Sequence, residues 1–235
     1  MEAAPAPAGK VDPGRVISET FSVYGANLGP LIGSALVVFV VVGLLSGLAQ
    51  NAGGIFLGLL AGIISLAGHA LYVGFVVKLV QDTRGGTERD QTVGDLFSSA
   101  APAIVPLIGF GILFGLGVGI GLILLIVPGL ILLTFWSVGA PAVVAEGAGP
   151  IDAFGRSWGL VRGDAWSVFG ALLLVLLIVI GIGIVLGIIA TPISSEATVV
   201  ATIISNVITA PIFAIAVSVM FFDLGGGRAA EAPSA

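Results

Sequence analysis

The chain has 235 residues, 57% of them hydrophobic and 9% charged, with a formal net charge of -5 and a mean hydropathy of +1.20. A soluble domain carries roughly 25% charged residues, so this composition excludes a water-clothed globule, and the negative balance gives no reason to expect nucleic acid as a partner. Without cysteine, disulfides, thiolate nucleophiles and Cys-based metal sites are excluded too.

Taken in order, residues 1–11 are rich in Ala and Pro and read as a disordered tail. They lack the basic start and apolar run of a secretory signal, so the first span is expected to stay in the mature protein. Asp12-Pro13 reads as the N-cap and first position of a short helix, with Ile17, Phe21, Tyr24 and Leu28 on one face. Two apolar segments follow, Leu28 to Ala49 and Gly54 to Val80, each long enough for a helix to cross ~30 Å of hydrocarbon at ~1.5 Å per residue. Val93, Leu96, Phe97 and Ala100 give a second short amphipathic helix. The next apolar stretch runs for about 43 residues, too long for one tilted span. Val127-Pro128-Gly129 is the expected turn, dividing it into spans Ala103 to Ile126 and Leu130 to Ala145. After Pro150, Ile151, Phe154, Trp158 and Val161 share the face of a third short helix. Spans Trp166 to Ala190 and Thr198 to Phe222 complete the set, and 225–235 reads as a second disordered tail. The fold class is therefore all-α, a polytopic membrane helix bundle of about six transmembrane helices in a single membrane domain over 12–224.

An internal repeat underlies this order. Glu19-Thr20-Phe21, Asp95-Leu96-Phe97 and Asp152-Ala153-Phe154 each stand before an odd-numbered span. Phe21-Ser22 through Pro30-Leu31-Ile32-Gly33 aligns with Phe97-Ser98 through Pro106-Leu107-Ile108-Gly109 without a gap, and the third unit needs a short insertion. Each unit is a short helix plus a two-span hairpin, so the units are expected to be parallel repeats about an axis along the membrane normal. The short helices are expected to lie in the interface, against the alternative that they extend the spans into the cytoplasm. All 8 Lys and Arg fall before the first span, after the last, or between even and odd spans, with Lys78 counted at the very end of the second span. Short basic loops stay cytoplasmic, which puts both termini inside.

Chemistry-bearing residues are sparse. Gly54/Gly58/Gly62, Gly111/Gly115/Gly119, Gly43/Gly47 and Gly183/Gly187 recur at four-residue spacing, expected to let helix backbones approach; a smooth pore wall or sliding helices is the alternative. His69 and Asn206 are polar groups inside spans, where their cost raises a functional reading, with a hydrogen bond to a neighbouring helix as the plain alternative. No paired catalytic groups, metal-ligand spacing or phosphate-binding loop appears, so neither enzyme activity nor a cofactor is expected. The densest cluster holds Glu146, Arg156, Trp158, Arg162, Asp164 and Trp166. Its arginines suit lipid phosphates at the inner leaflet, with the tryptophans at headgroup depth. Alternatively they pair with Glu146, Asp152 or Asp164 and fix a loop.

Val127-Pro128-Gly129, Trp136, Pro141, Glu146-Gly147, Arg156-Ser157-Trp158, Leu160-Val161 and Trp166 together resemble the membrane domain attached to some bacterial glycerophosphoryl diester phosphodiesterases, and related bacterial multi-span proteins. The resemblance implies a six-helix domain in a bacterial cytoplasmic membrane. It implies no phosphodiesterase activity, which belongs to a separate barrel domain of about 250 residues. The expected role is a non-enzymatic protein organising membrane lipids, or another membrane protein, at the inner leaflet; transport of a small or amphipathic solute is the alternative.

Overall fold

The computed structural model describes residues 10–51, 54–85, 92–190 and 195–227. These form α1 (Pro13–Ala26), α2 (Leu28–Asn51), α3 (Ile55–Gly85), α4 (Val93–Ala100), α5 (Ile104–Leu124), α6 (Ile126–Trp136), α7 (Gly139–Glu146), α8 (Asp152–Val161), α9 (Ala165–Ala190) and α10 (Ser195–Asp223), with no strand among the described residues. Six stretches are long and apolar enough to cross a membrane, α6 and α7 together making the fourth. Local chemistry sets the starts. Asp12 accepts the Arg15 N–H at 2.8 Å with Pro13 in the first turn of α1. Thr92 and Asp95 cap α4 reciprocally, satisfying two otherwise orphan donors.

The ten helices fall into three units, α1–α2–α3, α4–α5–α6/α7 and α8–α9–α10, each a short helix followed by a hairpin. Their contacts are cyclic. The returning span of each unit packs on the first span of the next: α3 on α5, α6 on α9, and α10 back on α2. The short helices obey the same rule, α4 lying on α3, α8 on α6 and α7, and α1 on α9 and α10. At the centre α3, α7 and α10 meet one another. The core follows from this, with Tyr72, Phe75 and Val76 of α3 beside Ile215, Met220 and Phe221 of α10, all fully buried. The repeat is visible residue by residue: Thr20, Leu96 and Ala153, each after the acidic residue of its unit, are all buried. So are Leu31, Leu107 and Val168, each four residues into a first span.

The short helices run beside the spans they touch. The Tyr24 hydroxyl donates to the Ile208 carbonyl at 3.4 Å, and Ser157 Oγ donates to the Phe135 carbonyl at 2.8 Å. Ala100 packs so closely on Gly74 that a Cβ there would come within 3.1 Å of it. Each contact lies roughly three to four turns from the end of its span. In α1 the buried stripe is Val16, Thr20 and Val23, one residue off the expected face, on which Phe21 and Leu28 are exposed. In α8, likewise, Ala153, Ser157 and Val161 are buried while Ile151 and Trp158 are exposed. These helices are thus apolar on two sides, one against the bundle and one away from it.

Three expectations change. The turn between α5 and α6 is at Leu125, the one extended residue there, while Val127-Pro128-Gly129 lies in the first turn of α6, which starts at Ile126. Pro tolerates a first turn, where its missing N–H goes largely unused. No loop is needed, because Gly121 and Gly129 let the two backbones touch: a Cβ on Gly121 would sit 2.9 Å from the Gly129 Cα. Most of the described four-spaced glycines do not mediate close packing within the chain, although Gly183 faces Ser205 Oγ of α10 at contact distance, 3.7 Å from where a Cβ would stand. A Cβ on Gly43, Gly58, Gly62, Gly111, Gly115 or Gly119 would meet nothing within 4 Å, as would one on Gly54, whereas Gly68, Gly117 and Gly139 lie tight against Val42, Trp136 and Phe110. Finally, the parts of the expected tails that are described are anchored: Val11 is buried, and Gly225–Gly227 form a turn with Gly226 N–H donating to Phe221 O at 2.9 Å. The remainder of each tail lies outside the described residues.

Candidate functional site

The cluster singled out in the sequence is assembled where the second unit hands over to the third. α7 ends at Glu146, and Gly147 follows in the left-handed conformation, φ 68°, a helix-ending geometry that suits glycine. The chain then turns into α8, which carries Arg156 back to Glu146. Arg156 Nε and Nη2 donate to the two Glu146 carboxylate oxygens at 2.8 and 2.7 Å, a planar fork-to-fork match. That hydrogen bond raises the Arg156 guanidinium further above its ordinary value. Glu146 also accepts the Gly227 N–H at 2.8 Å, so one carboxylate ties α8 and the turn after α10 to the end of α7. Of the two expected roles for Arg156, the ion pair is present.

Asp164 pairs with neither arginine. Its carboxylate accepts the Val11 N–H and the Ser167 hydroxyl, both at 2.6 Å, which fixes the start of α9 and pins the segment before α1. Arg162 stands apart. It follows α8, its side chain is exposed, and it makes no ion pair among the described residues. The tryptophans flank it in sequence. Trp158 stacks on Phe135 with centroids 4.1 Å apart and remains 44% exposed, and Trp166 is 85% exposed.

A second charged cluster was not anticipated. Arg84, at the end of α3, donates through Nε and Nη2 to Glu19 Oε1 at 2.9 and 2.6 Å and through Nη2 to Asp223 Oδ1 at 3.0 Å. Arg15 Nη2 donates to Asp223 Oδ2, and its charge is held on more firmly by that bond. The Arg84 guanidinium also lies 5.8 Å from the Phe222 ring centroid, a cation–π distance. The group joins α1, α3 and α10, which no sequence spacing brings together.

The family model of a domain of unknown function, DUF7847, matches residues 52–180, more than half of the chain. The chain belongs to the DUF7847 family. No curated protein and no solved structure matches it. The DUF7847 segment takes in the whole cluster from Glu146 to Trp166 and also His69, while Asn206, Glu19 and Asp223 lie beyond it.

His69 and Asn206, distant in the chain, converge. Both are exposed, and both line an open groove of about 410 Å³ between α2, α3 and α10, together with Phe39, Val42, Ser65 and Ile203. The Phe39 and His69 rings are 6.3 Å apart. His69 also lines a neighbouring cavity of about 240 Å³ among α3, α5, α6, α7, α9 and α10, whose walls are otherwise almost wholly apolar. The expected plain role, a hydrogen bond to a neighbouring helix, is not found for either side chain among the described residues.

Proposed function

We propose that this is a non-enzymatic, multi-pass protein of a bacterial cytoplasmic membrane, with both termini cytoplasmic, that organises lipids at the inner leaflet. The single observation that carries the reading is Arg162, an exposed guanidinium without an ion pair among the described residues, four residues from the exposed Trp158 and Trp166 on either side in sequence. An unpaired Arg flanked in sequence by exposed tryptophans matches the phosphate and glycerol depth of a leaflet. The exposed apolar edges of α1 and α8 support interfacial contact by the short helices as well. The resemblance to phosphodiesterase-linked membrane domains agrees with a lipid-side role, while the DUF7847 family itself is a domain of unknown function.

The test compares lipids retained by the protein in native-lipid particles. Arg162→Ala with Trp166→Ala is expected to lower enrichment of anionic phospholipid severalfold without loss of fold. Arg156→Ala is expected to loosen α8 instead, lowering thermal stability while leaving lipid selectivity in place. Unchanged enrichment in the Arg162/Trp166 variant sinks the lipid reading, and a protein co-purifying at fixed ratio moves the role to organising a partner. A second reading, transport of a small or amphipathic solute, is favoured by the polar pair His69 and Asn206 on one groove between spans; solute flux in vesicles that His69→Ala abolishes is its expected sign.

A further inference from the structure

Polar side chains inside spans are expensive unless something satisfies them. A neutral imidazole offers one donor and one acceptor, and an amide offers two donors and an acceptor. Each such group left unmet in hydrocarbon costs several times what an ordinary hydrogen bond gains. Many polar side chains here avoid that cost within their own helices: Ser34, Thr134, Thr209 and Ser218 all bond to carbonyls three or four residues back. His69 and Asn206 do not, and they are too far apart in sequence to share a face by accident of periodicity. α3 and α10 place them, both exposed, on one open groove that Phe39 and Val42 of α2 also line. His69 sits near the middle of α3, about fourteen residues from either end, so the groove lies roughly 20 Å along the helix axis from each end.

We infer that the open groove between α2, α3 and α10 is a binding site for a neutral, membrane-soluble molecule whose oxygen group, a carbonyl or hydroxyl, is held by His69 and Asn206. Three features set the ligand class. No Asp, Glu, Lys or Arg lines the groove, so a charged head would be desolvated without a counter-charge and is disfavoured by far more than the site returns. The two side chains together present several donors to one oxygen, which a pure hydrocarbon cannot use. The size, about 410 Å³, is that of a small-ligand pocket lined mainly by apolar groups with few polar ones, and the neighbouring cavity along His69, about 240 Å³, offers apolar walls for the rest of the molecule. This site is separate from Arg162 and Trp166, so it stands or falls apart from the proposed role at the inner leaflet.

The experiment uses the full chain in lipid nanodiscs and two photoactivatable probes, a long-chain ketone carrying a diazirine and the matching diazirine alkane without the oxygen. Labelled peptides are identified by mass spectrometry. Wild-type protein is expected to label around α3 and α10 at least about fivefold more with the ketone, the factor one net hydrogen bond supplies, and an excess of unlabelled long-chain alcohol should compete. His69→Leu with Asn206→Leu should bring the two probes level, and His69→Gln, which restores a donor, should recover part of the preference. An unchanged melting temperature and elution volume of the Leu variant exclude misfolding as the cause. Equal labelling by ketone and alkane in the wild type overturns the inference, and points to water as what satisfies the two side chains. A ketone preference that survives the double Leu variant overturns it too, by placing the oxygen elsewhere.

Discussion

At the scale of single residues, Thr20 is the anomaly. It is the one buried side-chain polar atom without a hydrogen-bond partner among the described residues. Its counterparts in the other units, Leu96 and Ala153, are buried and apolar. The position therefore asks for an apolar group, and a hydroxyl left unmet there costs roughly 1–3 kcal/mol. Thr20→Val keeps the shape and removes the hydroxyl, so it is expected to raise stability by about 1 kcal/mol, read as a higher melting temperature in detergent; a fall would mean the hydroxyl has a partner. The glycines show what sequence hides at this scale. Spacing by four identifies which glycines share a face but not which face meets a neighbour. In a soluble helix the polar side gives that away. In a span the lipid side is as apolar as the core, so Gly111, Gly115 and Gly119 look no different from Gly117, under which Trp136 packs closely enough that a Cβ would lie 2.4 Å from its ring.

At the scale of elements, helix positions were largely legible because hydrophobic length and capping chemistry are local. Asp12-Pro13 opens α1 as expected, and the spans differ from their expected limits by a few residues, apart from the break at Ser137–Val138 that divides α6 from α7. What holds elements together was less legible. Arg15 meets Asp223 across 208 residues and Arg84 meets Glu19 across 65, and charge patterning within one helix carries no information about such pairs. Arg156 with Glu146, only ten residues apart across a turn, was within reach. Asp223 is the hub of its group, its side chain 4% exposed while that of Arg15 is 52% exposed. Neutralising the hub leaves two guanidinium groups facing one another with only Glu19 between them. Asp223→Asn is therefore expected to destabilise by about 1–3 kcal/mol, the usual range for a buried partner of charged hydrogen bonds. Arg15→Ala should cost less, because an exposed ion pair is worth about 0–1 kcal/mol. Thermal unfolding of the two variants side by side checks the order, and a larger loss for Arg15→Ala would reverse the assignment of the hub.

At the scale of the whole molecule, the repeat read from three acid-x-Phe triplets becomes a ring, because every unit packs on the next and the third returns to the first. Ring closure was not in the sequence, since it depends on how hairpins lean against one another. Its consequence for topology can be argued. A unit of short helix and two spans returns the chain to its starting side, so Arg15 and Glu19 from the first unit meet Arg84 and Asp223 from the ends of α3 and α10. Likewise Glu146, at the end of α7, meets both Arg156 and Gly227. An odd number of crossings would separate these partners by a bilayer. Their contact agrees with the Lys/Arg asymmetry, and together they predict that the turns at Leu125 and between α9 and α10 face away from every basic loop. The chain lacks cysteine, so single-cysteine variants report sidedness without background. In intact cells, Leu125→Cys and Thr191→Cys should react with a membrane-impermeant maleimide, while Thr87→Cys and Ala230→Cys should react only after the membrane is opened. Labelling of Leu125→Cys from the same side as Thr87→Cys would mean that the second hairpin enters and returns without crossing, and the equivalence of the three units would then fail at the point where α6 and α7 part.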